Sequence, residues 1–274
     1  MRARQRKEWS AAAEGWAADR EDLAETSPVT RQLIELANIA AGNFVLDVAC
    51  GSGDPAFAIA QAVGPRGRVV GVDITPDMIA SALALARELG ATNVEFRTIE
   101  DELSVGVEAG RFDAVTCRFA LMYMPDPRAA LRAWRGVLRP GGRVAVSTWA
   151  ALPLIDFALD IVARHAPIAT PDPASPGIFA LSTPAALADV LQAAGYANVD
   201  VRQLNIPSFE ELPAEQWWDM VARTAGPLVT VFNALPPETY AEVRRDGIRA
   251  LHERHPSGVV AERGDALVAA GTAG

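Results

Sequence analysis

The chain carries a single lysine, Lys7, together with two cysteines and three histidines in 274 residues. Each shortage narrows the chemistry. With no second lysine there is no Tyr-x-x-x-Lys pair, so dehydrogenase chemistry that relies on one is unavailable. Cys50 and Cys117 stand alone, without CxxC or Cys/His ligand spacing, which indicates neither a zinc site nor a disulfide framework and suits a reduced compartment. No Asp/Asn cluster suggests a divalent ion, so no metal is expected. Long apolar runs are missing too: charge or proline interrupts each one well short of the roughly 20 residues that span a bilayer. The basic beginning (Arg2, Arg4, Arg6, Lys7) is not followed by the apolar core of a secretion signal. Positive charge is in deficit, 25 basic against 34 acidic residues for a net −9. An acidic surface repels phosphate backbones and anionic membranes. These absences together describe a soluble cytoplasmic protein with no nucleic-acid or membrane partner.

What remains is an ordinary globular composition, 50% hydrophobic and 22% charged. Trp9, Ala12, Ala13 and Trp16 fall on one face of a short helix, weakened by Gly15. Ser27-Pro28 opens a helix that runs toward Ala41. Strands and helices then alternate. The strands are Phe44–Val48, Arg68–Val72, Val94–Thr98, Phe112–Cys117 and Arg143–Trp149; helices cover Pro55–Val63, a segment capped by Thr75-Pro76-Asp77, and Ala129–Leu138. Such spacing predicts a mostly parallel sheet with helices on both faces, an α/β fold. Beyond Trp149 come helices over Leu152–His165 and Pro184–Ala194, a proline-rich loop over Thr170–Pro184, and a sixth strand, Val199–Leu204. At least two helices lie within 207–257, and a short last strand covers Asp265–Ala270. The organisation expected is one domain: N-terminal helices (1–42), a cofactor-binding core (43–149), the second half of the sheet (150–206), a helical cap insertion (207–257) and the last strand (258–274).

Gly51-x-Gly53 sits where the first strand gives way to a helix, at the carboxyl end where open α/β sheets bind ligands. Asp73 ends the next strand, twenty residues after Gly53, placed to accept hydrogen bonds from both hydroxyls of a ribose. A nucleoside is the natural ligand. Gly51-Ser52-Gly53-Asp54-Pro55-Ala56 also satisfies the dinucleotide fingerprint, so an NAD(P)-dependent oxidoreductase is one alternative. Two features weigh against a diphosphate. Asp47 lies four residues before Gly51, where it can help bind an ammonium group; Asp54 and Pro55 burden the helix start with a negative charge and a missing N–H donor.

Val45-Leu46-Asp47-Val48-Ala49-Cys50-Gly51-Ser52-Gly53 resembles motif I of the class I S-adenosylmethionine-dependent methyltransferases, in the branch of the ubiquinone/menaquinone-biosynthesis enzymes and bacterial natural-product methyltransferases. Phe112-Asp113-Ala114-Val115 resembles their fourth strand, and Leu138-Arg139-Pro140-Gly141-Gly142-Arg143 the turn before their fifth. The likeness covers residues 28–150 well and the rest weakly. It implies a Rossmann-like seven-stranded sheet with its last strand antiparallel, a helical cap, and methyl transfer from S-adenosylmethionine, leaving S-adenosylhomocysteine, to O, N or C of a small, partly apolar metabolite. By the same resemblance Asp47, Ala49, Gly51 and Gly53 hold the methionine end, Asp73 the ribose, and Ile74 and Met78 the adenine. Cys117 and Arg118 line the cofactor mainly through backbone. Glu100 and Asp101 stand where the family has Asp-Ala, leaving open which carboxylate meets the adenine; Glu100, Asp101 and Glu102 also read as a solvated acidic turn. A protein that keeps this fold for cofactor binding without methylation fits the same motifs, and a homodimer is compatible with them.

Candidate catalytic groups are sparse. Methyl transfer needs alignment and water exclusion, and a base only when the acceptor arrives protonated. Tyr123, in Leu121-Met122-Tyr123-Met124-Pro125, is placed to orient an acceptor or simply to pack. Of the histidines, His165 is the candidate base because it ends the helix after the fifth strand; His252 and His255 read as surface or packing residues. Trp149, Leu152, Phe157, Trp217, Trp218, Phe232 and Tyr240 form either an apolar lid over the acceptor or the core of the added helices. Trp9 and Trp16 carry the same two readings, gate or stripe.

Overall fold

A computed structural model describes residues 2–18, 27–167, 176–208 and 211–274. Its elements follow in chain order as α1 (Arg2–Ala18), α2 (Pro28–Leu36), β1 (Phe44–Val48), α3 (Ala56–Val63), β2 (Arg68–Asp73), α4 (Pro76–Glu88), β3 (Val94–Thr98) and β4 (Phe112–Cys117). Next come α5 (Pro127–Val137), β5 (Leu138–Ala151), α6 (Pro153–Ala163), α7 (Pro184–Ala193), β6 (Tyr196–Pro207), β7 (Leu212–Pro213), α8 (Ala214–Thr224), α9 (Gly226–Asn233), α10 (Pro237–Arg254), β8 (Val259–Val260) and β9 (Arg263–Ala273). Seven strands form one sheet in the order β3-β2-β1-β4-β5-β9-β6. β1 to β5 pair in parallel, and β9 runs antiparallel between β5 and β6, as the family resemblance implies.

Strand parity distributes the core. Leu46, Val48, Val115, Val144 and Val146 turn to one face, where Leu131 and Trp134 of α5 cover them. Val45, Ala114 and Ala145 turn to the other, under Leu33 of α2, Ile59 of α3 and Ile79 of α4. A strand buried on both faces needs a near-continuous apolar run, and β1 and β4 supply one. Asp113 of β4 ties the sheet's amino-terminal edge, accepting from Phe44 N at 2.7 Å and from Arg139 Nε at 2.6 Å. A third apolar cluster, with Leu154, Trp217, Trp218 and Val243, lies among α6, α8 and α10.

Several elements differ from expectation. The first helix spans 17 residues, because Gly15 does not end it. A Cβ on Gly15 would stand 2.7 Å from the Arg223 carbonyl oxygen, so the glycine permits close packing on α8. α2 stops at Leu36, five residues early, with Asn38 in the left-handed region at φ 54°. Residues 207–257 hold three helices among the described residues, and Leu212–Pro213 pairs with Val259–Val260 across the base of that insertion. Those two-residue strands are too short to leave a period in the sequence. Part of the Thr170–Pro184 loop lies outside the described residues.

Candidate functional site

A cavity of about 540 Å³ opens at the carboxyl ends of the parallel strands, within the range of small-molecule sites. Ala49, Gly51 and Ser52 after β1, Asp73 to Thr75 after β2, Met78 on α4 and Ile99 after β3 build one part of its wall. The remainder is mostly apolar: Phe119 and Tyr123 after β4, Trp149 of β5, Leu152 and Ile155 at the start of α6, Ile206 of β6 and Met220 of α8. Phe119 and Trp149 stack face to face, ring centroids 4.3 Å apart at 6°.

The polar centre is the turn after β1. Gly51 lies at φ +54°, and a Cβ there would meet nothing within 4 Å, so the main chain faces open space. Its N–H donates to Asp73 Oδ2 at 3.0 Å, while Asp73 Oδ1 accepts from Thr75 N at 2.8 Å. Asp73 is 8% exposed, and burial pushes its carboxyl above the usual carboxylate range. Each oxygen keeps a lone pair for a ligand hydroxyl. Arg118 ion-pairs with Asp54 and donates to Ser27 Oγ at 3.2 Å and Thr30 Oγ1 at 3.0 Å, joining β4, the glycine loop and α2.

The N-terminal helix forms part of the enclosure, since Gln5 and Trp9 both line the cavity. Arg2 clasps Glu102 with two bonds of 2.9 and 2.7 Å; Arg6 donates to the carbonyls of Ile74 at 2.9 Å and Glu100 at 3.0 Å. Gln5 donates to the Tyr123 carbonyl, and the Trp9 ring meets Tyr123 edge-on at 5.5 Å.

Residues 39–166 match a methyltransferase domain family. The chain is 34% identical over 221 residues to the nocamycin O-methyltransferase of Saccharothrix syringae, covering 71% of this chain and 77% of that one. It belongs to the S-adenosylmethionine-dependent methyltransferases. The fold agrees: the YcgJ protein of Bacillus subtilis superposes with a TM-score of 0.56 at 21% identity over 89% of this chain and 97% of its own. The [4+2]-cyclase SpnF also superposes, at 0.53 and 22% identity, over 88% and 78%, so the architecture is shared with a protein named for another reaction.

In this methyltransferase Ala49, Gly51, Asp73, Ile74, Met78, Arg118 and Tyr123 share the cavity wall. The Arg118 guanidinium pairs with Asp54, another residue of the wall. Asp47 and Cys117 stand one layer back, fully buried and outside the wall. Asp47 Oδ1 accepts from Thr116 Oγ1 at 2.7 Å, whereas Oδ2 has no hydrogen-bond partner among the described residues, and burial lifts the carboxyl to about 7. Burial likewise pushes the Cys117 thiol far up, leaving it inert.

Glu100 and Asp101 are not part of the wall; Glu102 is. Glu100 is exposed, and Asp101 Oδ1 caps its own turn through Leu103 N at 2.9 Å and Ser104 N at 2.8 Å. A loop has no period to show which carboxylate turns inward. The signal for Glu102 lay elsewhere, in the basic N-terminus that supplies Arg2. His165 is also away from the cavity, held between α6 and α10 with Nε2 2.9 Å from Asp246. Of the large apolar set, Trp149 and Leu152 line the cavity, while Phe157 of α6 packs with Trp217, Trp218, Phe232 and Tyr240 of the cap in the third cluster. Trp9 lines the cavity; the side chain of Trp16 lies outside what the structure describes.

Gly53 stands outside the cavity wall and meets α3 instead. At φ +114° its missing Cβ leaves room for Phe57, whose ring would stand 2.2 Å from it, so this glycine serves the packing of α3. Gly53→Ala is therefore expected to lower the melting temperature steeply, by about 2–3 kcal/mol of stability from overpacking and strain. Gly51→Ala, with open space around it, should cost about 1 kcal/mol and act mainly on cofactor affinity. Thermal unfolding of both variants distinguishes the roles.

Proposed function

We propose that the enzyme grips the nucleoside of S-adenosylmethionine with Asp73 on the ribose hydroxyls, Ile74 and Met78 along the adenine, and the Gly51 turn at the methionine end. The bound cofactor supplies an electrophilic sulfonium methyl. Asp47 then acts through its field from behind the turn, favouring the ammonium group, and the apolar wall around Trp149 holds a small, partly apolar acceptor. Tyr123 contributes a neutral phenol that orients the acceptor; burial pushes its hydroxyl up, so it is no base at neutral pH. The observation that carries this reading is the Asp73 carboxylate, bonded to Gly51 N within the cavity wall.

We place the enzyme in the cytoplasm, as one domain over 1–274, as a monomer or homodimer, and without a nucleic-acid partner. The net charge of −9 weighs against a nucleic-acid partner, and no helix among the described residues is long and apolar enough to cross a membrane. S-adenosylhomocysteine at a hundred times its dissociation constant adds about 2.7 kcal/mol. For a chain of this size that is a rise of roughly 5–10 °C in melting temperature. NADH should give none, because Asp54 and Pro55 at the start of α3 oppose a diphosphate. A shift with NADH alone would reverse the assignment.

A further inference from the structure

Resting on the methyl-transfer reading above, we propose that the acceptor is an organic acid that enters already ionised, a carboxylate or acidic enol on a flat apolar body. Transfer to a neutral hydroxyl leaves a proton that some base must take. All three histidines are described, and each is engaged elsewhere: His165 with Asp246 at 2.9 Å, His252 with Glu215 at 3.1 Å, His255 with Glu262 at 3.1 Å. None lines the cavity, and neither does Lys7, the only lysine.

The ionisable side chains in the described wall are Asp54, Asp73, Glu102, Arg118 and Tyr123. Asp54 is ion-paired with Arg118 and Glu102 with Arg2, so both carboxylates are already engaged within the protein. Asp73 is held by two backbone amides. An acid with a pKa near 4 is ionised at neutral pH and removes the need for a base. Its oxygen forms the new O–C bond as the C–S bond breaks, the electron pair stays on sulfur, and the two charges cancel with no proton left over.

One further feature fits such an acceptor, and the charge of the wall sets when it binds. The stacked Phe119–Trp149 slab offers a flat surface for a ring system. Arg118, the only cationic side chain in the described wall, stands at the end of β4 immediately before Phe119. The carboxylates of Asp54 and Glu102 are each balanced by an arginine, while Asp73 has no ion-pair partner among the described residues. The wall alone is thus net negative and disfavours an anion until a cationic nucleoside is seated. The acid therefore binds second, and its affinity depends on the charge at the sulfonium position.

The test uses the full chain at pH 7.5 and 2-naphthoate as probe, with 2-naphthamide and 2-naphthol as neutral controls. Binding is read by tryptophan quenching with either sinefungin, which carries a cationic amine at the methyl position, or uncharged S-adenosylhomocysteine. 2-Naphthoate should bind about tenfold more tightly to the sinefungin form, and the amide equally to both. Labelled methyl donor should give an alkali-labile ester from 2-naphthoate and no product from 2-naphthol. Equal or absent binding of 2-naphthoate to the two forms, or labelling of 2-naphthol, overturns the proposal. Failure of both nucleosides to bind overturns instead the methyl-transfer reading on which it rests.

Discussion

Asp73→Ala is expected to weaken S-adenosylhomocysteine binding at least about a hundredfold, while His165→Ala changes it less than about twofold. A hydrogen bond to a charged group contributes about 1.5–3 kcal/mol, and two ribose hydroxyls share this carboxylate. Their loss alone amounts to two or more decades of affinity. The alanine also releases Gly51 N and Thr75 N, now fixed at 3.0 and 2.8 Å, so the turn that receives the methionine end loses its anchor. Asp73→Asn keeps the shape and one acceptor, and should fall between the two. His165 pairs with Asp246 in the cap and has no route to the nucleoside. Calorimetric titration of the three variants decides the matter; comparable losses for Asp73→Ala and His165→Ala would remove the ribose contact from the account.

The second large effect is a conflict between stability and affinity at Asp47. Its carboxyl is lifted to about 7 because burial disfavours the ionised form more than Thr116 and the charge of Arg118 favour it. A lift of that size corresponds to about 4 kcal/mol. The folded state holds this proton over a range in which the unfolded chain has released it. The stabilisation is therefore complete below the unfolded value near 4, and is lost as pH rises through about 7. Asp47→Asn should raise the melting temperature of the ligand-free protein most at pH 8, less at pH 5, where only part of the stabilisation has been lost, and little below the unfolded value near 4. Cofactor binding has the opposite sign: the ionised form attracts the ammonium group, so wild-type affinity rises between pH 6 and 8, and the asparagine variant loses that slope. Melting curves and titrations across this range test both halves, and a wild-type affinity independent of pH would discard the ammonium role.

How far the sequence led depends on what kind of regularity each feature leaves in it. β1 and β2 were legible because strands buried on both faces demand largely apolar runs, and their ends located the turn at Gly51 and the acid at Asp73. Ala49, Ile74 and Met78 followed from the family resemblance. Glu102 was not legible, because the loop after β3 has no period and its inward carboxylate is selected by Arg2, a hundred positions away. Arg118 was expected to act through its backbone, since only the folded chain brings Asp54, Ser27 and Thr30 around its guanidinium. The aromatic residues of the cap divided for a similar reason. Hydrophobicity says that Trp218 and Trp149 are covered, but only topology says that one is covered by Phe232 and the other borders the cavity.

The position of β9 has a consequence for how the polypeptide is made. Arg143 on β5 bonds Thr272 on β9 across 129 positions, and β6 joins the sheet only through β9. Until residues 263–273 have left the ribosome, β5 presents a bare row of amides and carbonyls, and β6 has no strand to pair with in the sheet. Nascent or prematurely terminated chains should thus be the aggregation-prone form of this protein, and chaperone demand should end abruptly once that strand is delivered.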